Sequence, residues 1–213
     1  MNFQGAIFDM DGTLTDSMWI WEDLAKRFLE KRQIPPEPGQ NALFHNMTFE
    51  SSSQYLAQHY PLDMTAEEIQ CEWMDMVYPY YEKELDLKLG AFAYLQHLRQ
   101  CGVKLALLTS NFRKNGEAFL KRNGIFEWFD VIMTSDEAGK GKENPALYLQ
   151  TAKALRVSPQ YCMVFEDILI AVQSAKSAGM MVTAVEDGAS QAERDAIKRI
   201  ADRYLVSFRE LLL

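Results

Sequence analysis

From Leu89 onward, short apolar runs alternate with helix-length stretches, and this alternation leaves the chain few folds to choose from. The runs are 103–108, 130–133, 161–165 and 180–185, with a weak one near 204–206. Helices are expected over 91–101, 113–123, 145–155, 168–178 and 190–201, with Gly124 and Gly179 as natural stops for two of them. A further apolar run, Gly5-Ala6-Ile7-Phe8, opens the chain. Strands alternating with helices imply an α/β fold, a doubly wound parallel sheet with helices on both faces. Ligands of such sheets sit at the carboxyl ends of the strands. Those ends are where chemistry should be sought.

The first strand ends in Asp9-Met10-Asp11-Gly12, within the string FDMDGTLTDS. Two carboxylates this close are costly unless a cation sits with them. Carboxylate and carbonyl oxygens are the hard ligands that Mg2+ prefers. One aspartate could attack a phosphoryl group while the other handles the proton of the leaving oxygen. An isolated Asp-x-Asp-Gly is commonly a surface turn. Its place at the end of an apolar run argues for a site instead. An EF-hand loop starting at Asp9 would need an acid at its twelfth position, where Ile20 stands. Gly141-Lys142 lacks the other residues of a P-loop, having Asp136 and Glu143 at the glycine and hydroxyl positions. There is no G-x-S-x-G, and His45, His59 and His97 have no metal-ligand spacing.

Other strand ends add matching groups. Thr109-Ser110-Asn111 could hold phosphate oxygens through hydroxyls and N–H groups, or could simply cap a helix. Glu166-Asp167 is a second acidic pair just past an apolar run, and Lys140-Gly141-Lys142 brings two cations before a helix. Four acids around a phosphate would repel one another without a cation, so the set implies Mg2+ and a phosphoryl group.

Residues 17–88 differ in character. Met18, Trp21, Ala25 and Phe28 recur at helical spacing and predict one amphipathic helix; Pro35, Pro36, Pro38 and Gly39 then break the chain. A second helix is expected from Thr48 or Phe49 to before Pro61. A third opens at the capping pattern Thr65/Glu68 and is kinked or ended by Pro79. With no strand signal, this stretch reads as a small helical insert.

Composition narrows the partners. The 213 residues carry a formal charge of −8, with no basic stripe to neutralise a nucleic acid. An anionic substrate would be drawn in locally, by a metal or a single lysine. Cys71, Cys101 and Cys162 are odd in number and widely spaced, as expected of reduced, mostly buried thiols. No basic-then-apolar leader and no run of transmembrane length appear, so a cytoplasmic protein without membrane partners is expected. Asn46-Met47-Thr48 matches a glycosylation sequon, which means nothing without secretion.

Taken together, the motifs resemble those of a haloacid dehalogenase-superfamily phosphatase with a helical cap inserted after the first motif, the subgroup that includes β-phosphoglucomutase and phosphoglycolate phosphatase. The resemblance runs nearly end to end. It implies a core of 1–16 and 89–213, a cap of 17–88, Mg2+ as cofactor, and a small phosphorylated metabolite as substrate. A monomer or weak homodimer is expected. The resemblance makes Asp9 the nucleophile and Asp11 the general acid/base, whose carbonyl also binds Mg2+. It gives Thr109, with Ser110 and Asn111, the phosphate, and Glu166-Asp167 the metal, with Asp167 the direct ligand. The family lysine lies three residues before a proline in K-P-x-P; Lys142-Glu143-Asn144-Pro145 keeps that spacing but loses the first proline, so Lys140 remains an alternative. Ile168 and Ala171 replace the serine and glycine usual after the acidic pair.

In the cap, the mutase's Lys-Gly-x-x-Arg segment aligns with His45, Asn46 and Phe49, and its histidine beside the first motif with Trp21. The cap therefore lacks the arginine that grips a second phosphate, which favours hydrolysis over a sugar phosphomutase. A dehalogenase is disfavoured because that branch lacks the Asp11 equivalent. A phospho-aspartate receiver would be shorter, without an insert, and a non-catalytic binding relative would have lost an acid. Trp19, Trp21, Phe44, His45 and Phe49 are the cap residues expected near substrate.

Overall fold

The computed structural model describes residues 3–35, 44, 47 and 49–212. The six strands are β1 (Gly5–Phe8), β2 (Lys104–Thr109), β3 (Val131–Thr134), β4 (Cys162–Glu166), β5 (Met181–Val185) and β6 (Arg203–Leu205). They form one sheet in the order β3-β2-β1-β4-β5-β6, and every pairing is parallel. This is the expected doubly wound α/β core. The first strand lies inside the sheet because the chain builds outward from it twice, to β2 and β3 on one side and to β4, β5 and β6 on the other. The reversal of direction falls beside β1, so a ligand crevice belongs at the carboxyl ends of β1, β2 and β4.

The apolar runs pack both faces. Phe8 is level with Leu107 and Phe165, and its ring stacks on Phe165 at 4.3 Å. Tyr94 and Phe208 close that aromatic layer. On the opposite face Ile7, Ala106 and Val164 join Leu147, Tyr148 and Ala152 in a fully buried cluster. Burial of side chains this size contributes about 1.5–3 kcal/mol apiece before the entropy of ordering is subtracted.

The helices are α1 (Met18–Glu22), α2 (Leu24–Glu30), α3 (Phe49–His59), α4 (Ala66–Lys83), α5 (Ala91–Gln100), α6 (Arg113–Arg122), α7 (Ser135–Ala138), α8 (Pro145–Leu155), α9 (Leu169–Ser177) and α10 (Arg194–Ile200). One of these differs from expectation, and another excludes one of two expected outcomes. The single helix through Met18 and Phe28 is broken at Asp23, which ends α1 and precedes α2. Pro79 does not stop α4, which continues to Lys83; Val77 and Tyr81, both fully buried, hold the turns around it. The Thr65/Glu68 capping box forms as expected, with both reciprocal hydrogen bonds present. The short helix α7, with Thr134 accepting from the Glu137 N–H, was not expected.

The chain groups into two compact units, Met1–Asp16 with Tyr81–Leu213, and Ser17–Tyr80. Among the described residues, all regular structure of the second unit is helical. Its interior is aromatic: Trp73 meets Phe28 and Phe49 edge-on, and Phe49 meets Trp21. Residues 81–88, read from sequence as insert, group with the larger unit. Thr15 bridges Leu87, and the Lys88 N–H donates to the Leu14 carbonyl. The three cysteines are free; Cys162 is buried, but Cys71 and Cys101 are exposed, contrary to the expectation of mostly buried thiols. Among the described residues no helix is long and apolar enough to cross a membrane.

Candidate active site

Asp9 leaves the central strand directly into the crevice. Its N–H donates to the Phe165 carbonyl at 3.0 Å, which extends the ladder one residue beyond β1. The chain then turns tightly: the Met10 carbonyl accepts from the N–H groups of Thr13, Leu14 and Thr15. Gly12 sits in this turn with φ +86°, a left-handed conformation that side chains disfavour. A Cβ there would also lie 2.4 Å from Asp167 Oδ2. The motif glycine is therefore required twice, by its backbone angle and by the carboxylate packed against it.

Asp9, Glu166 and Asp167 bring ligand oxygens within 4.8 Å of one another, and all three residues are buried. Lys142, from the loop before α8, donates to Asp9 Oδ1 at 2.6 Å and also contacts Glu166 Oε1. The Asp167 and Glu166 carboxylates have further partners. Thr13 donates to Asp167 Oδ1 at 2.7 Å, and Ser190 to Oδ2 at 3.4 Å. Tyr148 donates to Glu166 Oε1, and the Asp167 N–H to Glu166 Oε2.

Three buried carboxylates face one ammonium, and the protonation of Asp9 and Asp167 registers it. Burial pushes the Asp9 carboxyl up to about 6, with Lys142 opposing and the Glu166 charge adding to the rise. Burial, then the charges of Asp9 and Glu166, holds Asp167 well above the usual carboxylate range. Burial alone would lower the Lys142 pKa, but Asp9 and Glu166 outweigh it and the net shift is upward. Excess negative charge among hard oxygen donors is the environment that suits Mg2+, so this donor set fits a divalent cation.

A pH dependence follows. An acid whose folded pKa is raised stabilises the fold below its ordinary value and loses that contribution as pH climbs through the folded value. For Asp9 the window runs from 3.8 to about 6. In the presence of chelator, Asp9→Asn should gain in Tm relative to the natural chain as pH rises across that window. A constant difference between the two melting curves would contradict the shift.

The structure brings only some of the sequence-derived residues together. Asp9, Glu166, Asp167 and Lys142 come together. Lys140 does not join them; it is half-buried and points its ammonium toward the Ala138 carbonyl at 3.5 Å. Thr109 is buried at the end of β2, with its hydroxyl accepting from the Asn111 N–H. Ser110 is exposed and pairs with Ser135. Asp11 stands outside the three-carboxylate cluster, and its own carboxylate accepts from Tyr81 and Asn111. In the helical unit, Trp21 and Phe49 pack into the Trp73 cluster, Phe44 meets Tyr55 edge-on, and Trp19 is 47% exposed. His45 and Asn46 lie outside the described residues.

Several partners escaped the sequence reading. Thr13 lies inside the motif, and only its burial distinguishes it from a turn residue. Lys88 contacts the Gly12 carbonyl, the Glu186 carbonyl at 2.9 Å and Asp187 at 2.9 Å, tying the motif turn to the loop after β5. Ile168 leaves α9 without a local cap; the Glu193 carboxylate supplies one, accepting from the Leu169 N–H at 3.1 Å.

The chain is similar to known proteins of one family. The model of the haloacid dehalogenase-like hydrolase family matches residues 6–185. The bifunctional riboflavin kinase/FMN phosphatase of Arabidopsis thaliana is 31% identical over 183 residues, covering 84% of this chain. The match covers 47% of that protein, about half its length. Hexitol phosphatase A of Escherichia coli is 31% identical over 186 residues, covering 87% of this chain and 84% of that one. Among solved structures, CbbY from Rhodobacter sphaeroides in complex with phosphate superposes with a TM-score of 0.83 at 23% identity, covering 98% of this chain and 96% of that one. That likeness speaks for the fold.

Proposed function

This chain belongs to the haloacid dehalogenase-like hydrolase family, and from that premise we propose that it is a Mg2+-dependent phosphatase acting on a phosphate monoester of a small metabolite. The observation that carries the proposal is the Asp9–Lys142 pair at 2.6 Å, buried beside Asp167 at the carboxyl end of the central strand. A carboxylate so placed is oriented, desolvated and charge-balanced for attack on phosphorus.

Asp9 forms the new O–P bond as the leaving oxygen departs, and Asp11 gives that oxygen a proton. Asp11 then takes a proton from water, whose oxygen attacks phosphorus and frees the Asp9 carboxylate. Lys142 orients Asp9 and offsets charge that builds on the phosphoryl oxygens. Thr109, with the backbone of Ser110 and Asn111, holds those oxygens. Asp9 and Asp167, with Glu166 behind Lys142 and the Asp11 carbonyl, would hold Mg2+. When bound, the ion supplies positive charge against the transferring group. In this reading the helical unit acts as a cap that selects substrate, and the protein works in the cytoplasm as a monomer or weak homodimer with its thiols reduced.

A screen of phosphorylated metabolites tests the activity. Release of inorganic phosphate with Mg2+ and its loss with chelator are expected; no release from any monoester would refute the reading. The main competitor is a sugar phosphomutase. Phe49 stands where a second-phosphate arginine would be needed, and it packs against Trp73 at 5.3 Å between ring centroids. Given a β-hexose 1-phosphate and a trace of its bisphosphate, the protein should release phosphate and form little 6-phosphate. Isomerisation faster than release would promote the mutase.

A further inference from the structure

Asp11 carries its two carboxylate oxygens in a fork. Tyr81 donates its phenolic O–H to Oδ1 at 2.5 Å, and the Asn111 amide donates to Oδ2 at 2.9 Å. The amide is itself fixed: Asn111 Oδ1 accepts from Asn115 Nδ2 at 2.9 Å and from the Phe112 N–H at 2.8 Å, so its NH2 must face Asp11. Tyr81 is fully buried in the last turn of α4, and Asn115 is 1% exposed on α6. The two donors come from separate segments, the end of α4 and the loop after β2, and meet at this carboxylate. A surface aspartate needs no such mounting.

We propose that Tyr81 is a positioning residue for proton transfer: its phenol holds the Asp11 carboxyl in one orientation, from which the acid passes its proton to the leaving oxygen. This rests on the phosphatase reading above. In the step concerned, the Asp9 O–P bond forms, the P–O bond to the leaving group breaks, and the Asp11 proton passes to the departing oxygen. Tyr81 keeps its own proton throughout. A carboxylate free to rotate would present its proton less often, and misplacement of about 1 Å can cost up to roughly a hundredfold.

The leaving group discriminates this role from a structural one. An alkyl phosphate needs its oxygen protonated as it departs, whereas an aryl phosphate such as p-nitrophenyl phosphate departs as a stable anion. Both should be compared by kcat/KM, which reports the step up to Asp9 phosphorylation. Tyr81→Phe should lower the alkyl value by roughly 30- to 100-fold and the aryl value by less than about 3-fold. In an Asp11→Asn background, the same change should cost the alkyl substrate nothing further. Equal losses on both substrates, or an undiminished loss without Asp11, would overturn the proposal and leave Tyr81 a packing residue. If Tyr81→Phe does not fold, Asn111→Ala removes the other arm of the fork and should show the same leaving-group dependence; an even loss there would sink the idea equally. Failure of the natural chain to hydrolyse either ester with Mg2+ overturns the phosphatase reading and this proposal with it, a result separate from a flat response to Tyr81→Phe.

Discussion

Asp9→Asn should reduce phosphate release by at least about a thousandfold while leaving the fold intact, the scale expected when a covalent nucleophile is removed. The substitution keeps the shape of the side chain and its place after Phe8. It removes the charge that pairs with Lys142 at 2.6 Å and the oxygen nucleophile that the mechanism requires. Stability should not fall with activity, because Asp9 is one of three buried carboxylates that repel one another. Mass spectrometry after rapid quench would show a phosphoryl adduct in the natural chain and none in the variant. Asp167→Asn offers the contrast. It should weaken metal binding and shift activity to higher Mg2+, without removing the nucleophile. Substantial turnover by Asp9→Asn together with loss in Asp167→Asn would show that the nucleophile has been misassigned.

The core was legible because its strands are continuous apolar runs, such as Gly5–Phe8 and Cys162–Glu166, punctuated by acids at their carboxyl ends. A run of that kind has to be buried, and an acid at its end has to be satisfied. Together these requirements mark Asp9, Glu166 and Asp167 in the sequence alone. Lys142 was singled out only by the family resemblance, through its spacing to Pro145 and with Lys140 as an alternative; in the structure Asn144 caps α8 and Pro145 begins it, which fixes the distance from that lysine to the helix start.

What stayed hidden depends on approach between distant segments. The phenol of Tyr81 reaches Asp11 across seventy positions, and the ammonium of Lys88 reaches Gly12 across seventy-six. Neither leaves a local pattern, since an isolated tyrosine at the end of a helix or an isolated lysine in a connecting loop is ordinary. Local rules also left alternatives open, such as a kink or an end at Pro79. Pro79 lacks a donor for its helix, yet the buried Val77 and Tyr81 carry α4 past it. The glycine of the motif was read as a turn former, whereas the space that Asp167 occupies constrains it equally.

Lys142→Ala should lower turnover by roughly a hundredfold or more, and Lys140→Ala by less than about tenfold. The difference comes from surroundings, since the side chains are identical. The Lys142 side chain is 6% exposed between Asp9 and Glu166, where little water screens its charge, so that charge would act at nearly full strength on a phosphoryl group held there. Lys140 is half-buried, with its ammonium near a carbonyl, and contributes as a solvated charge does. The same surroundings predict a second readout. Removing Lys142 leaves Asp9 and Glu166 buried with no cation, so the chelated protein should melt lower, and Mg2+ should raise its Tm more than it raises that of the natural chain. Lys140→Ala should leave both melting temperatures unchanged. Kinetic loss with Lys140→Ala and none with Lys142→Ala would transfer the role to the other cation and separate the buried ion pair from catalysis.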